Sequence, residues 1–285
     1  MKMRIATLAF AATIIGIIPL VARAETGHDT PKPPAQTWSF SGPFGMFNRA
    51  QLQRGFQVYR EVCSNCHSMN IPFRNLAEPG GPEFSEAQVK ALAAEYKVQD
   101  GPNDDGNMFE RPGQPSDKIP YGFANPQQAA AANNGAMPPP MRLLAKARTY
   151  ERGFPLWLID VATQYQEQGP DYIYALLNGY EDAPKDMVID AGQNYNKYMP
   201  GHKIAMAKPL NDGQVTYTDG SPQTVEQYSR DIVAFLSWTA DPALEERKKL
   251  GFRVLIFLGV LFGLLLYVKK KLWSELDYEV PLKAH

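Results

Sequence analysis

Two long apolar runs bracket this chain, and between them apolar positions recur mostly with helical spacing. The first, Ile5 to Val21, follows Lys2 and Arg4 and ends on Ala22-Arg23-Ala24. A charged start, an apolar middle and small exit residues are the marks of a secretory leader, so residues 1–24 read as a signal peptide cleaved before Glu25. A mitochondrial presequence would be amphipathic and rich in Arg and Ser instead, and an uncleaved anchor suits the small exit residues less well. The second run, Leu250 to Val268, is broken only by Arg253. At about 1.5 Å per residue it reaches about 28 Å, close to the hydrocarbon thickness of a bilayer. Arg253 lies in its first turn and can snorkel to the surface, and Tyr267 and Trp273 supply interfacial aromatics at the far end. A buried core helix would carry a polar stripe, which this run lacks; residues 250–268 are predicted to span a membrane.

Residues 25–245 between these runs are predicted to be mainly α-helical with long Pro- and Gly-rich connections, enough for one sizeable core. Leu52, Phe56 and Tyr59 share one face of a helix over about 49–62. Ser85 with Gln88 resembles a capping box opening a helix to about Tyr96. Asn125-Pro126 and Gly169-Pro170 each read as a cap followed by proline, the second helix stopping at Gly179. Ser221-Pro222 is expected to open the strongest helix, with Val225, Tyr228, Ile232, Val233 and Leu236 as its apolar stripe before Asp241-Pro242. Val215-Thr216-Tyr217 with the turn Thr218-Asp219-Gly220 suggests a small hairpin, and residues 99–120 read as loop.

Charge refines this outline. Removing the +3 of the leader and the +3 of residues 245–285 from a formal net charge of −1 leaves −7 for the segment between. Asp160, Glu167, Asp171, Glu181, Asp182, Asp186 and Asp190 concentrate it against a single Lys185. Such a face would steer a basic protein partner, or would simply be a solvated surface; no nucleic-acid partner is expected. Basic residues flank the second apolar run equally on both sides, so the positive-inside rule does not orient it. The leader does, placing residues 25–245 in a bacterial periplasm and residues 269–285 as a cytoplasmic tail of an inner-membrane protein.

Chemistry enters at Cys63-Ser64-Asn65-Cys66-His67, a C-x-x-C-H run that reads as covalent attachment of haem c. Two thiols on one local turn can each add to a vinyl group of the same porphyrin, and the adjacent imidazole then takes the proximal iron position. A zinc site would have to recruit His28, His202 or His285 from far away, and a thioredoxin-like pair would want a β-α-β setting. A plain disulfide would explain neither the spacing nor His67. An early helix ending in this motif, with a late amphipathic helix, is the arrangement of a cytochrome c fold. For the second axial ligand, Met69 follows His67 too closely to cross the ring, while Met137, Met199, Met206 and His202 all remain open on spacing. Methionine opposite histidine would make a one-electron carrier of raised potential, whereas an open sixth position would suit a sensor.

The chain resembles the cytochrome c1 family, the membrane-anchored haem subunits of cytochrome bc1 complexes. The likeness runs through Arg54–Tyr59 into the haem motif and His67-Ser68-Met69, then Val98–Asn103, Met108-Phe109 and Arg111-Pro112-Gly113. It continues through Ala132–Ala136 with Pro138-Pro139, and Pro200–Met206. The resemblance implies Met206 as distal iron ligand, Arg148 as partner of a haem propionate, and Asn133, Asn134, Gly135, Pro138 and Pro139 as pocket lining. It implies one covalently bound haem c, no catalytic site on this chain, and membership of a membrane complex, expected to be dimeric, with cytochrome b and the Rieske iron–sulfur protein. The Rieske protein would donate the electron and a soluble or tethered cytochrome c would accept it. Pro140-Met141-Arg142 departs from the family's usual Asp-Leu-Ser at that place. With Cys63 and Cys66 as its two cysteines, this chain also lacks the extra disulfide of some bacterial relatives. A stand-alone anchored electron shuttle and a gas-binding haem sensor are the competing readings.

Overall fold

The computed structural model describes residues 30–150, 153–163 and 165–274; the leader and residues 275–285 of the expected tail lie outside them. The fold is mainly helical, as the pattern predicts, and one crossing organises it. Helix α1 (Arg49–Glu61) starts at Asn48, whose side chain accepts the Gln51 N–H, and packs along a late helix, Val225–Ala240. Leu52, Phe56 and Tyr59 of α1 meet Phe235 and its neighbours in the core, with the Phe56 and Phe235 rings 5.7 Å apart. Gly55 faces the partner helix directly, because a Cβ there would lie 2.1 Å from the Asp231 carbonyl oxygen. Arg54 closes the crossing with two hydrogen bonds, of 2.9 and 3.1 Å, to the fully buried Asp231 carboxylate.

Around this pair the chain adds short elements. Helix α2 (Glu86–Ala94) has the expected capping box at Ser85 and Gln88. Residues 99–120, expected to be loop, contain part of an antiparallel hairpin of β1 (Lys97–Asp100) and β2 (Phe109–Pro112). Its strands are polar and largely exposed, so no alternation marks them; Arg111 holds the hairpin by pairing with both Asp100 and Asp117. Helix α3 (Pro126–Ala132) is capped by Asn125 as predicted. Two short helices follow, α4 (Leu144–Ala147) and α5 (Leu156–Thr163). Helix α6 (Gln168–Asn178) begins one residue before the expected Gly169 cap. Gly169 and Pro170 thus occupy its first turn, where a missing N–H costs nothing. A Cβ on Gly169 would lie 1.8 Å from the Ala145 carbonyl, so glycine here is what lets α6 close on α4.

A second small hairpin, β3 (Asn194–Tyr195) with β4 (Lys203–Ile204), precedes the late helix, α7. Helix α7 opens at Thr224 rather than at Ser221-Pro222. Thr224 caps Gln227, Asp212 takes the Val225 N–H at 2.7 Å, and Ser221 is turned away by an N–H bond to Asp219. Val215–Tyr217 forms no strand; instead the Tyr228 hydroxyl donates to the Val215 carbonyl at 2.6 Å and accepts its N–H at 3.2 Å. Buried on nearly every face from Tyr228 to Ala240, α7 is the central helix of the domain rather than an amphipathic cover.

Helix α8 (Leu244–Ser274) contains the whole expected span 250–268 and is long and apolar enough to cross a membrane, with its apolar stretch unburied by protein. Its base is fastened to the domain. Glu245 receives Arg49 at 2.7 and 2.9 Å and the Phe47 N–H at 2.9 Å. The Lys248 ammonium donates to the Phe40 and Gly45 carbonyls.

The expected acidic face is only partly a face. Asp160, Glu167 and Asp171 are buried. Asp171 accepts the Gln36 N–H at 3.0 Å and the Trp38 indole N–H at 2.8 Å, and it bonds the Tyr165 hydroxyl. Of the exposed remainder, Asp190 pairs with Lys203 and Glu181 lies 3.8 Å from Lys197.

Candidate haem-binding site

The motif follows directly from how α1 ends. Val62 closes the helix with its N–H on the Val58 carbonyl, and a 3-10 turn over Cys63–Asn65 carries the chain onward. The Cys66 and His67 N–H groups both converge on the Cys63 carbonyl, at 3.1 and 2.9 Å. Ser64 and Asn65 reach back to the Arg60 and Val62 carbonyls, and the Gly122 N–H ties the turn to the following loop through the Ser64 carbonyl. Both thiols are free and part-buried. Burial pushes the Cys63 thiol up to about 12, so the unreacted sulfur is held as a neutral thiol.

His67 Nδ1 lies 2.8 Å from the Pro139 carbonyl oxygen. That bond fixes the tautomer with the proton on Nδ1 and leaves Nε2 as the nitrogen with a lone pair. Burial holds the imidazole below its usual range against the opposing pull of Pro139, which favours the neutral, ligating form. The Tyr59 hydroxyl steadies the same residue through its carbonyl at 3.1 Å, and the Met141 N–H binds the Ser68 carbonyl at 2.8 Å. Two adjacent free thiols and one oriented imidazole are the donor set that haem c requires, so the residues present fit that group. Among the described residues no three His, Cys, Asp or Glu side chains are grouped to hold a metal ion; His28 and His285, which a zinc site would recruit, lie outside them.

The candidates for a second ligand stand in different surroundings. Met69 is wholly buried in the core and Met137 is exposed. The Met199 sulfur takes the Tyr172 hydroxyl at 3.7 Å. His202 stacks on Tyr195 with ring centroids 5.5 Å apart and has Nδ1 3.3 Å from the Asn196 carbonyl, so it serves the β3–β4 turn. Met206 is part-buried just after β4, and its carbonyl is held by the Tyr180 hydroxyl at 3.1 Å and the Asn194 amide at 3.3 Å. Among the described residues its thioether accepts no hydrogen bond.

Arg148 is exposed just beyond α4, and among the described residues no carboxylate pairs with it. Its charge acts on the phenol of Tyr172, opposing the upward push of burial there, and burial likewise raises Tyr180 beside Tyr172. Arg148, Tyr172 and Tyr180 thus act on one another in series, and the Tyr180 hydroxyl reaches the Met206 carbonyl. Asn133 turns its amide to the Ala129 carbonyl at 2.7 Å and finishes α3, while Asn134 takes a left-handed backbone with φ 54°. Pro138 is part-buried beside the Pro139 carbonyl that holds His67. Sequence reasoning missed Tyr59, Tyr172, Tyr180 and Asn194. Tyr59 reads in the sequence as part of an apolar helix face and of the Arg54–Tyr59 block, with no role for its hydroxyl, and the other three carry no local signal.

Comparisons with known proteins bear on this arrangement. The model of the Cytochrome C1 family matches residues 38–276. The cytochrome b/c1 of Bradyrhizobium diazoefficiens is 56% identical over 273 residues; the match covers 95% of this chain and 39% of that longer protein. The cytochrome c1 of Blastochloris viridis is 46% identical over 276 residues, covering 96% and 97% of the two chains. A mitochondrial cytochrome c1 of Arabidopsis thaliana is 42% identical over 254 residues, covering 89% and 75%.

Proposed function

From a chain that belongs to the cytochrome c1 family, we propose the haem-bearing electron-transfer subunit of a membrane cytochrome bc1 complex, with one haem c joined to Cys63 and Cys66 by thioether bonds. The observation that carries this reading is the Pro139 carbonyl 2.8 Å from His67 Nδ1, which leaves Nε2 as the lone-pair nitrogen of the imidazole that directly follows the two thiols in sequence. The haem supplies a single iron that takes up and releases one electron at a time. This chain's residues do the rest. His67 and Met206 would hold the iron, and the Met206 segment is steadied by Tyr180 and Asn194. Arg148, with no carboxylate of its own among the described residues, would neutralise a propionate. Pro138 and the Asn133–Gly135 turn shape the pocket wall.

Cytochrome b and the Rieske iron–sulfur protein are the complex partners; a relative more than twice as long, named cytochrome b/c1, supports the first. The Rieske protein donates and a cytochrome c accepts. Residues 25–245 lie in the periplasm, α8 crosses the inner membrane, and residues 269–285 are cytoplasmic. The decisive experiment replaces Met206 with leucine and titrates the haem. The midpoint potential falls, carbon monoxide binds to the reduced variant but not to wild type, and the haem stays attached through acid-acetone extraction. An unchanged potential would remove Met206 from the iron. Haem extractable from wild type would remove the thioether links.

A further inference from the structure

We propose that the haem domain rests on the lipid surface through an apolar collar, formed by α5 and the loop at 40–46, beside the base of α8. The inference builds on the reading of α8 as a membrane anchor, and holds whichever side of the membrane the domain occupies. Phe44 and Met46 in the loop, and Phe154, Trp157 and Leu158 at or just before α5, are between 48% and 80% exposed, unusually open for large apolar side chains meant to face water.

Their height relative to the bilayer follows from their neighbours. The Phe44 ring packs edge-on against Phe252, centroids 5.7 Å apart, and Phe252 is already inside the apolar run that begins at Leu250. The loop cannot lift away, because Lys248 holds the Phe40 and Gly45 carbonyls. For α5 the connection runs through its buried carboxylate. Asp160 meets the Gln168 amide at 3.5 Å, and the Tyr165 N–H binds the Asp160 carbonyl. The adjoining Gln166, Glu167 and Pro170 line a small crevice with Leu244, Arg247 and Lys248 of α8. Leu244 is six residues from Leu250, or about 9 Å along a helix, comparable to the polar layer on each side of a bilayer. Helix α5 therefore turns Asp160 to the domain and Trp157 and Leu158 outward, and in the proposed collar these two lie at the depth where headgroups give way to acyl chains. Tryptophan and phenylalanine are the side chains favoured there.

The test uses nitroxide spin labels on Leu158→Cys and Phe44→Cys in the full haem-loaded chain in lipid nanodiscs. Cys63 and Cys66 do not label, being consumed by the porphyrin. Collisions with oxygen, which concentrates in lipid, are compared with collisions with a water-soluble nickel chelate. Leu258→Cys within α8 and Lys90→Cys on the exposed side of α2 set the two ends of the scale. The oxygen-to-nickel ratio at 158 and 44 is expected to rise above that at 90 towards that at 258. A ratio equal to that at 90 places both in water, and poor access to both reagents places them under a protein neighbour; either result overturns the collar. A water-like ratio at 258 overturns the anchor reading itself, and the collar with it.

Discussion

Replacing Gly55 with alanine would ordinarily stabilise a helix by about 1 kcal/mol, since alanine loses less backbone freedom. Here the sign is reversed by the α1–α7 crossing. The new methyl would sit 2.1 Å from the Asp231 carbonyl oxygen and 2.6 Å from the Phe235 Cβ, where ordinary contact begins at 3.4 Å. Neither atom is the end of a flexible side chain, so α1 must retreat by about 1 Å, a gap that forfeits roughly a quarter to a half of the dispersion energy across it. Overpacked cores typically lose about 1–3 kcal/mol, and a clash with backbone belongs at the upper end. The net expectation is a loss of about 2 kcal/mol in place of a gain. With a urea dependence of about 2 kcal/mol per molar, the unfolding midpoint of the detergent-solubilised, haem-loaded chain drops by about 1 M. Tryptophan emission and the circular dichroism of the haem band both follow the transition. A midpoint that stays put or rises would show that the two helices have slack at residue 55, and the account of the crossing would be wrong.

Two other outcomes are expected. The Ser221 N–H and then Arg54 hold the Asp219 carboxyl down to about 2, below its usual 3.8, so its ionised form adds stability that is complete above the unfolded value and disappears as pH falls through the folded one. The Asp219→Asn variant is therefore less stable than wild type at about pH 5, and the two converge between pH about 4 and 2; parallel curves in an acid titration of the melting midpoint would reject this. Reversing the exposed Asp182 and Asp186 to lysine slows reduction of a basic cytochrome c and flattens its salt dependence, because unpaired surface charge is what steers a partner. Stopped-flow rates unchanged across ionic strength would move the docking surface elsewhere.

What the sequence made legible was what local chemistry decides. The cap at Asn125, the capping box at Ser85, the helix running into Cys63 and the apolar run at 250–268 each depend on residues a few positions apart. The failures share the opposite cause. Asp171 looks like a surface charge until Trp38 and Gln36, 133 and 135 residues away, bury it with hydrogen bonds. The β1–β2 hairpin has no apolar alternation because Arg111 bridges two carboxylates to hold it. Helix α7 starts at Thr224 because Asp212 reaches across to its first N–H. At the haem site the thiols and imidazole were readable as a motif, whereas the Pro139 carbonyl and the hydroxyls of Tyr59 and Tyr180 act through backbone atoms that no side-chain pattern reports.

The clamp of Arg49 on Glu245 ties the first turn of α1 to the first turn of α8, with the loop at 40–45 pinned beside it by Lys248. A domain joined to its stalk by a rigid knuckle has no swivel. In the proposed role, a redox centre carried on such a joint keeps its place, and its electron donor and acceptor come to it.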